Sequence, residues 1–98
     1  MTRAFSINDQ ARSELQEAAY FYGLESPALR VAFLDAVDVA LNYLREFPES
    51  APLVRGRVRR MLLRRFPYSI LYTVRPGTIR VLAVMHQRRR PSYWWGRV

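Results

Sequence analysis

The segment from His86 to Arg97 combines residue types that could act on a nucleic acid. It carries one imidazole, four arginines and three large aromatic side chains, Tyr93, Trp94 and Trp95. Aromatic rings can stack on bases while arginines hold phosphates. Cleavage of RNA through its 2′-hydroxyl needs a base, a proton donor and a cation, which His86, Tyr93 and an arginine could supply. The alternative is structural: His86 supports a strand end, and the tryptophans cover a sheet edge or a partner's groove.

A second concentration of arginine lies between residues 55 and 65. Alternate side chains of a strand point to opposite faces, so Arg60 and Arg64 would share one face. Arginine can bind phosphate or carboxylate groups through two parallel hydrogen bonds, although single arginines could instead pair with helix acids. If the protein is an RNase, the catalytic candidates are His86, Tyr93, Arg60 and Arg64. The predicted surface for an acidic protein segment or a nucleic acid consists of Arg57, Arg59, Arg60, Arg64, Arg65, Arg88, Arg89, Arg90, Tyr93, Trp94, Trp95 and Arg97.

Charge is divided unevenly along the chain. All 16 basic residues are arginine, eight residues are acidic, and the formal net charge is +8. The eight acids all lie in residues 1–50 beside four arginines, whereas residues 51–98 hold twelve arginines and no acid. This division favours an anionic partner for the second half of the chain.

Composition excludes several classes of site. The chain has no cysteine and one histidine, which excludes disulfides, a thiol nucleophile and multi-histidine or cysteine-ligated metal centres. The acid pairs Glu14/Glu17 and Asp35/Asp38 are interpreted as solvated helix faces rather than metal ligands. We expect no metal and no cofactor. No apolar run is long enough for a membrane span and the N-terminus lacks a signal-peptide pattern, so a cytoplasmic protein is expected.

The first half of the chain predicts a strand and two helices. Residues 3–7 alternate as a short strand, and the Asn-Asp pair that follows can cap a helix whose apolar face continues to Gly23. Ser26 and Pro27 are a typical helix start, and the second helix is expected to run to Pro48. The connection is short, so the helices should form an antiparallel hairpin.

The second half predicts strands. Residues 48–57 read as a loop, residues 58–66 as a strand of uncertain facing, and residues 68–74 as a cleanly alternating strand. The Arg-Pro-Gly-Thr sequence at 75–78 predicts a tight turn, and the nearly continuous apolar run at 79–85 predicts a central strand.

These elements predict a single α+β domain over residues 1–98, in the order β-α-α-β-β-β. The helical hairpin would pack on one face of a mainly antiparallel four-stranded sheet. The other face would be partly apolar and partly arginine-rich, so a partner is expected to cover it.

The same residues resemble a known family over nearly the whole chain. The most specific segments are Phe66-Pro67-Tyr68 and the His-x-Arg-Arg-x-Pro-x-Tyr-Trp pattern of residues 86–94. With the alanine-rich first helix and the Val58-Arg59-Arg60 segment, they resemble the RelE/ParE superfamily of bacterial toxins, closest to the ParE-like plasmid stabilisation branch.

The resemblance implies a toxin of a type II toxin–antitoxin module, held inactive by a cognate antitoxin with an acidic or amphipathic C-terminal segment. ParE-like members poison DNA gyrase, and RelE-like members cut mRNA in the ribosome. The RNA-cutting branch usually relies on lysines or an acid in the later strands, and this chain has no lysine and no acid beyond Glu49. Gyrase poisoning is therefore the leading hypothesis. A ribosome-dependent mRNA endonuclease is the alternative, and a plain nucleic-acid-binding module is a third.

Overall fold

The computed structural model describes residues 4–98; Arg3, the first residue of the predicted strand, lies outside them. The elements are β1 (Ala4–Ile7), α1 (Asp9–Glu25), α2 (Pro27–Glu46), β2 (Leu53–Arg55), β3 (Val58–Leu62), β4 (Tyr68–Arg75), β5 (Thr78–His86) and a C-terminal 3₁₀ helix (Pro91–Arg97). The α+β fold and its helical hairpin are confirmed. The sheet has five strands rather than four, in the order β1-β5-β4-β3-β2, because the predicted loop contains the short strand β2.

Polar caps set the helix boundaries. The Asn8 side chain accepts a hydrogen bond from the Ala11 backbone N–H at 2.7 Å, which starts α1. The prediction that α1 stops at Gly23 is wrong, since the helix continues to Glu25. Ser26 ends α1 through its backbone N–H and starts α2 through its side chain. One residue therefore makes the hairpin connection and fixes the two helices as neighbours.

The helices pack on one face of the sheet. Ala11, Ala18 and Ala19 of α1 are buried, and their small side chains allow a close approach to β5. Phe33 and Leu44 of α2 are fully buried in the same core. The predicted turn at 75–78 is confirmed, with Gly77 at a φ of +70°, a conformation that glycine adopts without a steric penalty.

The opposite face carries a second, smaller core. Val58, Leu71, Ala83 and Met85 are buried there, and Trp94 of the 3₁₀ helix packs on them at 2% exposure. A partner was predicted to cover this face, but the chain's own C-terminus covers part of it. This explains why nearly every residue of β5 is apolar: helices contact one face and Trp94 the other.

The strand β3 is shorter than predicted. It ends at Leu62, and the following residues form a tight loop closed by the Leu63 N–H donating to the Tyr68 carbonyl at 2.9 Å. Within this loop Arg65 has a φ of +71°. Arg64 therefore lies in a loop, and the strand-based prediction that it shares a face with Arg60 is wrong.

An ion pair takes the place of a missing strand beside β5. The strand β1 pairs with β5 only up to Val81, so the next backbone groups of β5 face α1 and the C-terminus. The Glu14 carboxylate accepts from the Val84 N–H at 3.1 Å, and the Arg97 guanidinium donates to the Leu82 carbonyl at 3.1 Å. Glu14 and Arg97 also bind each other at 2.9 Å, with side chains only 15% and 11% exposed. The pair satisfies the open edge and anchors the 3₁₀ helix.

Replacing Glu14 with Gln tests this anchor. We expect Glu14→Gln to lower the free energy of unfolding by about 2–3 kcal/mol, because the Arg97 charge is left unpaired in a mostly buried position. Urea unfolding followed by circular dichroism measures the loss. Glu17→Gln on the same helix, where the side chain is exposed, is the matched control and should change stability by less than about 0.5 kcal/mol. Equal losses in the two variants would contradict the anchor.

Candidate functional site

A cleft between α1 and the end of β5 contains two of the candidate catalytic residues. It measures about 270 Å³, and its lining includes His86, Tyr93 and Arg89 together with Glu14 and Glu17. The sequence analysis grouped His86, Arg89 and Tyr93, which all belong to the C-terminal segment. It did not predict that two glutamates of α1 would lie in the same cleft. A cleft that holds two acids is a poor receptor for a phosphate group.

The local contacts of His86 limit its use as a base. Its Nδ1 accepts a hydrogen bond from the Arg88 backbone N–H at 3.0 Å, and its ring lies edge-on to Tyr68 with centroids 5.1 Å apart. A neutral imidazole has one acceptor nitrogen, and here the loop occupies it. The contacts are those of a residue that shapes the loop after β5.

Two guanidinium groups pack on the ring of Tyr93. Arg89 lies 4.1 Å and Arg97 4.9 Å from the centre of its ring. Burial, followed by the neighbouring Glu14 carboxylate, strongly raises the pKa of the Tyr93 hydroxyl. The phenol is therefore protonated at neutral pH and cannot act there as a general base.

The four RNase candidates are not brought together. His86 and Tyr93 share the cleft, whereas Arg60 donates to the Ser69 hydroxyl at 3.1 Å on the sheet face away from the helices. Arg64 lies in the loop after β3 and lines a separate groove beside α2. A phosphate held by Arg60 or Arg64 would not lie in the cleft that contains His86 and Tyr93.

Several members of the predicted binding set have structural partners. Arg59 donates to the backbone carbonyls of Glu49 and Ala51 at 2.9 and 2.7 Å, and Arg97 belongs to the ion pair with Glu14. Trp94 is a core residue and offers no surface. Trp95 is 43% exposed, with the Arg55 guanidinium stacked 3.7 Å from its ring. The arginines of the predicted binding surface whose side chains are exposed to solvent are Arg57, Arg64, Arg65, Arg88, Arg89 and Arg90.

An apolar groove runs between α2 and β3. Two adjoining clefts of about 580 and 510 Å³ form it and share Tyr43, Met61 and Leu62. Val39 of α2 is 64% exposed and Leu62 54% exposed in this groove. Exposed apolar surface of this extent is typical of a docking site for another protein. We call it the α2–β3 groove.

Sequence reasoning missed the α2–β3 groove and the role of Glu14. The signal for the groove was available, since Val39 and Tyr43 are large apolar residues outside the buried stripe of α2. For Glu14 no local signal exists, because its partner Arg97 lies 83 positions away.

The pKa of Tyr93 predicts an alkaline loss of stability. The raised folded-state pKa means that the native state retains its phenolic proton above about pH 10, where the unfolded chain releases it, so stability falls as pH rises through that range. Tyr22, Tyr68 and Tyr72 have pKa values raised by burial and contribute in the same direction. Urea unfolding at pH 8 to 11 measures the slope, and Tyr93→Phe should flatten it. The variant Tyr20→Phe, on the exposed surface of α1, is the control; an unchanged slope in Tyr93→Phe would contradict the prediction.

Two further properties concern the described part of the chain. None of the helices within residues 4–98 is both long and apolar enough to cross a membrane. Over the same residues, no three His, Asp or Glu side chains converge as metal ligands.

Comparison with known proteins agrees with this geometry. The chain matches the family described as the ParE toxin of the type II toxin–antitoxin system parDE, over residues 5–91. Its fold is similar to a solved chain of the chromosomal ParDE toxin–antitoxin system from P. aeruginosa, with a TM-score of 0.74 at 17% identity, covering 87% of this chain and 96% of that one. No curated protein matches the chain in sequence. With the family match spanning most of its length, the chain belongs to the ParE toxin family of type II toxin–antitoxin systems.

Proposed function

We propose that this toxin acts in the cytoplasm and inhibits growth by poisoning DNA gyrase, through binding rather than through catalysis of RNA cleavage. The observation that carries the proposal, beside the family membership, is that no candidate group is free to act as the base. The Arg88 N–H engages the acceptor nitrogen of His86, and the raised pKa of Tyr93 keeps its phenol protonated. Arg89 lines the same cleft as His86 and Tyr93, whereas Arg60 and Arg64 lie apart from it. Binding needs no assembled proton-transfer site.

The α2–β3 groove supports an antitoxin as the neutralising partner. Its walls are apolar, and Arg64 and Arg65 stand along it. An amphipathic segment could bury its apolar side between α2 and β3 while its carboxylates pair with these arginines. The outer edge of β3 adds a second means of binding. The short strand β2 pairs only with the beginning of β3, which leaves backbone groups near Leu62 available to an extended segment.

A supercoiling assay tests the proposed target. Purified toxin should inhibit the ATP-dependent supercoiling of relaxed plasmid by gyrase and increase the fraction of cleaved plasmid. Relaxation by a type I topoisomerase at the same toxin concentrations is the control and should be unaffected, which excludes simple coating of the DNA.

Unchanged supercoiling at saturating toxin would overturn the gyrase proposal. In that case primer extension after induction would test the mRNA endonuclease directly. New mRNA ends that disappear in His86→Ala and Tyr93→Phe would support cleavage.

A charge introduced into the groove tests the antitoxin proposal. Val39→Glu should weaken antitoxin binding at least tenfold in calorimetry. The new carboxylate would be buried against the apolar side of the antitoxin segment and would repel its acidic residues. Val31→Glu is a matched control, since Val31 is 56% exposed on the same helix but does not line the groove. Equal affinities for the two variants would place the antitoxin elsewhere.

A further inference from the structure

Two loops meet at the end of the sheet where β5 finishes. The Gln87 N–H donates to the Pro67 carbonyl at 2.8 Å, and Tyr68 pairs with His86 at the end of the β4–β5 ladder. These contacts join the β3–β4 loop to the loop between β5 and the 3₁₀ helix. Together the loops carry five exposed arginines, which we call the arginine end: Arg64, Arg65, Arg88, Arg89 and Arg90.

The loops of the arginine end present cations and no apolar anchor. The two large apolar residues of the β3–β4 loop, Leu63 and Phe66, are only 6% and 8% exposed because they point into the helix-side core. No acid occurs anywhere in residues 51–98, so neither loop contains an internal counter-charge. Within residues 4–98, Arg97 is the one arginine that forms a salt bridge, and it lies outside this end.

The backbone at Arg65 adds an independent observation. Its φ of +71° lies in the left-handed region, where a residue with a Cβ is disfavoured and glycine or asparagine is usual. An arginine at such a position contributes nothing to the turn that glycine would not provide at lower conformational cost. When an exposed charged side chain occupies a strained backbone position, the strain indicates a role for that side chain.

We propose that the arginine end binds the phosphate backbone of duplex DNA. Arginine forks match phosphate oxygens, and a basic cluster of this kind binds by neutralising phosphates. A single strand would require open aromatic rings for its bases, but Tyr93 is partly buried with two guanidinium groups packed on its ring, and the exposed Trp95 is stacked with Arg55. A protein segment would require apolar pockets between the loops, where Leu63 and Phe66 are buried. A duplex presents phosphates and needs neither feature.

The identity of this duplex rests on the proposed function: it is the DNA that gyrase holds. Asp35 and Glu17 flank the arginine end on its helix side, where they line the α2–β3 groove and the His86 cleft respectively. The DNA therefore approaches from the side of the loops. Arg64 and Arg65 also line the α2–β3 groove, so antitoxin carboxylates and DNA phosphates compete for the same two side chains.

Fluorescence anisotropy with a labelled 20-base-pair duplex tests the proposal on the full chain. The triple variant Arg65→Gln, Arg88→Gln, Arg90→Gln should bind at least tenfold more weakly at 100 mM salt. The slope of log affinity against log salt should fall by about 2–3, because three phosphate contacts are lost. The triple variant Arg12→Gln, Arg30→Gln, Arg75→Gln removes the same charge from exposed positions outside the predicted binding set and should stay within threefold of wild type. Equal weakening of both variants would show non-specific attraction and overturn the site.

Arg65→Gly separates the side chain from the backbone. We expect an unchanged or higher urea midpoint together with weaker duplex binding. A lower midpoint would assign Arg65 a structural role and remove it from the site. If the arginine-end triple variant instead bound poly-L-glutamate at least tenfold more weakly while its duplex affinity stayed within threefold of wild type, the occupant would be an acidic protein segment and the proposal would be overturned.

Supercoiling measurements distinguish this inference from the proposed function. If the wild type binds the duplex but leaves gyrase unaffected, the gyrase proposal fails and the DNA surface stands. If the arginine-end triple variant inhibits gyrase at wild-type concentrations, gyrase poisoning stands and the role of this surface in it is overturned. Loss of both duplex binding and gyrase inhibition in that variant, with both retained in the control triple variant, is the expected result.

Discussion

The Glu14–Arg97 ion pair is the interaction on which the rest of the structure depends. The edge strand β1 has four residues, so it leaves about half of β5 without a neighbour on that side, and buried peptide groups without partners are costly. Glu14 accepts the free N–H and Arg97 donates to the free carbonyl, so two side chains perform the work of a strand. The same pair positions the 3₁₀ helix, which brings Trp94 onto the second core and Tyr93 against two arginines. It thereby helps to keep this hydrophobic face of β5 covered.

One residue type serves two purposes in this chain. Arg59, Arg60, Arg80 and Arg97 are half-buried and donate to backbone carbonyls, hydroxyls or a carboxylate, and thereby hold loops and strands together. Of the exposed arginines in the two loops, Arg89 packs on the Tyr93 ring, and the others have none of these side-chain hydrogen bonds within residues 4–98. The amino-acid composition does not distinguish these two groups of arginines. The half-buried arginines stabilise the fold, whereas the exposed arginines produce the positive electrostatic potential of the surface. The division is consistent with a toxin that binds its target, because the cations that face solvent are not combined with a working base.

Local signals in the sequence predicted much of the fold. The Ser26-Pro27 start, the turn with Gly77 and the apolar run of β5 each depend on a few adjacent residues, and all are confirmed. The strand β2 was missed because its three residues are all exposed and show no alternation. The end of β3 was misplaced because the left-handed Arg65 has no sequence signature. Of the candidate site, the clustering of His86 and Tyr93 was foreseeable, but their separation from Arg60 depends on which face of the sheet each strand presents.

The Glu14–Arg97 ion pair also constrains the order in which parts of the protein can fold. Glu14 is synthesised before any strand of the β2–β5 region, whereas Arg97 follows it by 83 positions. A contact of such sequence separation closes late, since a long loop must first be ordered. During translation the edge of β5 thus remains open until Arg97 has emerged. Assembly of the complete toxin surface is in this way coupled to the synthesis of the segment that carries Trp94 and Arg97.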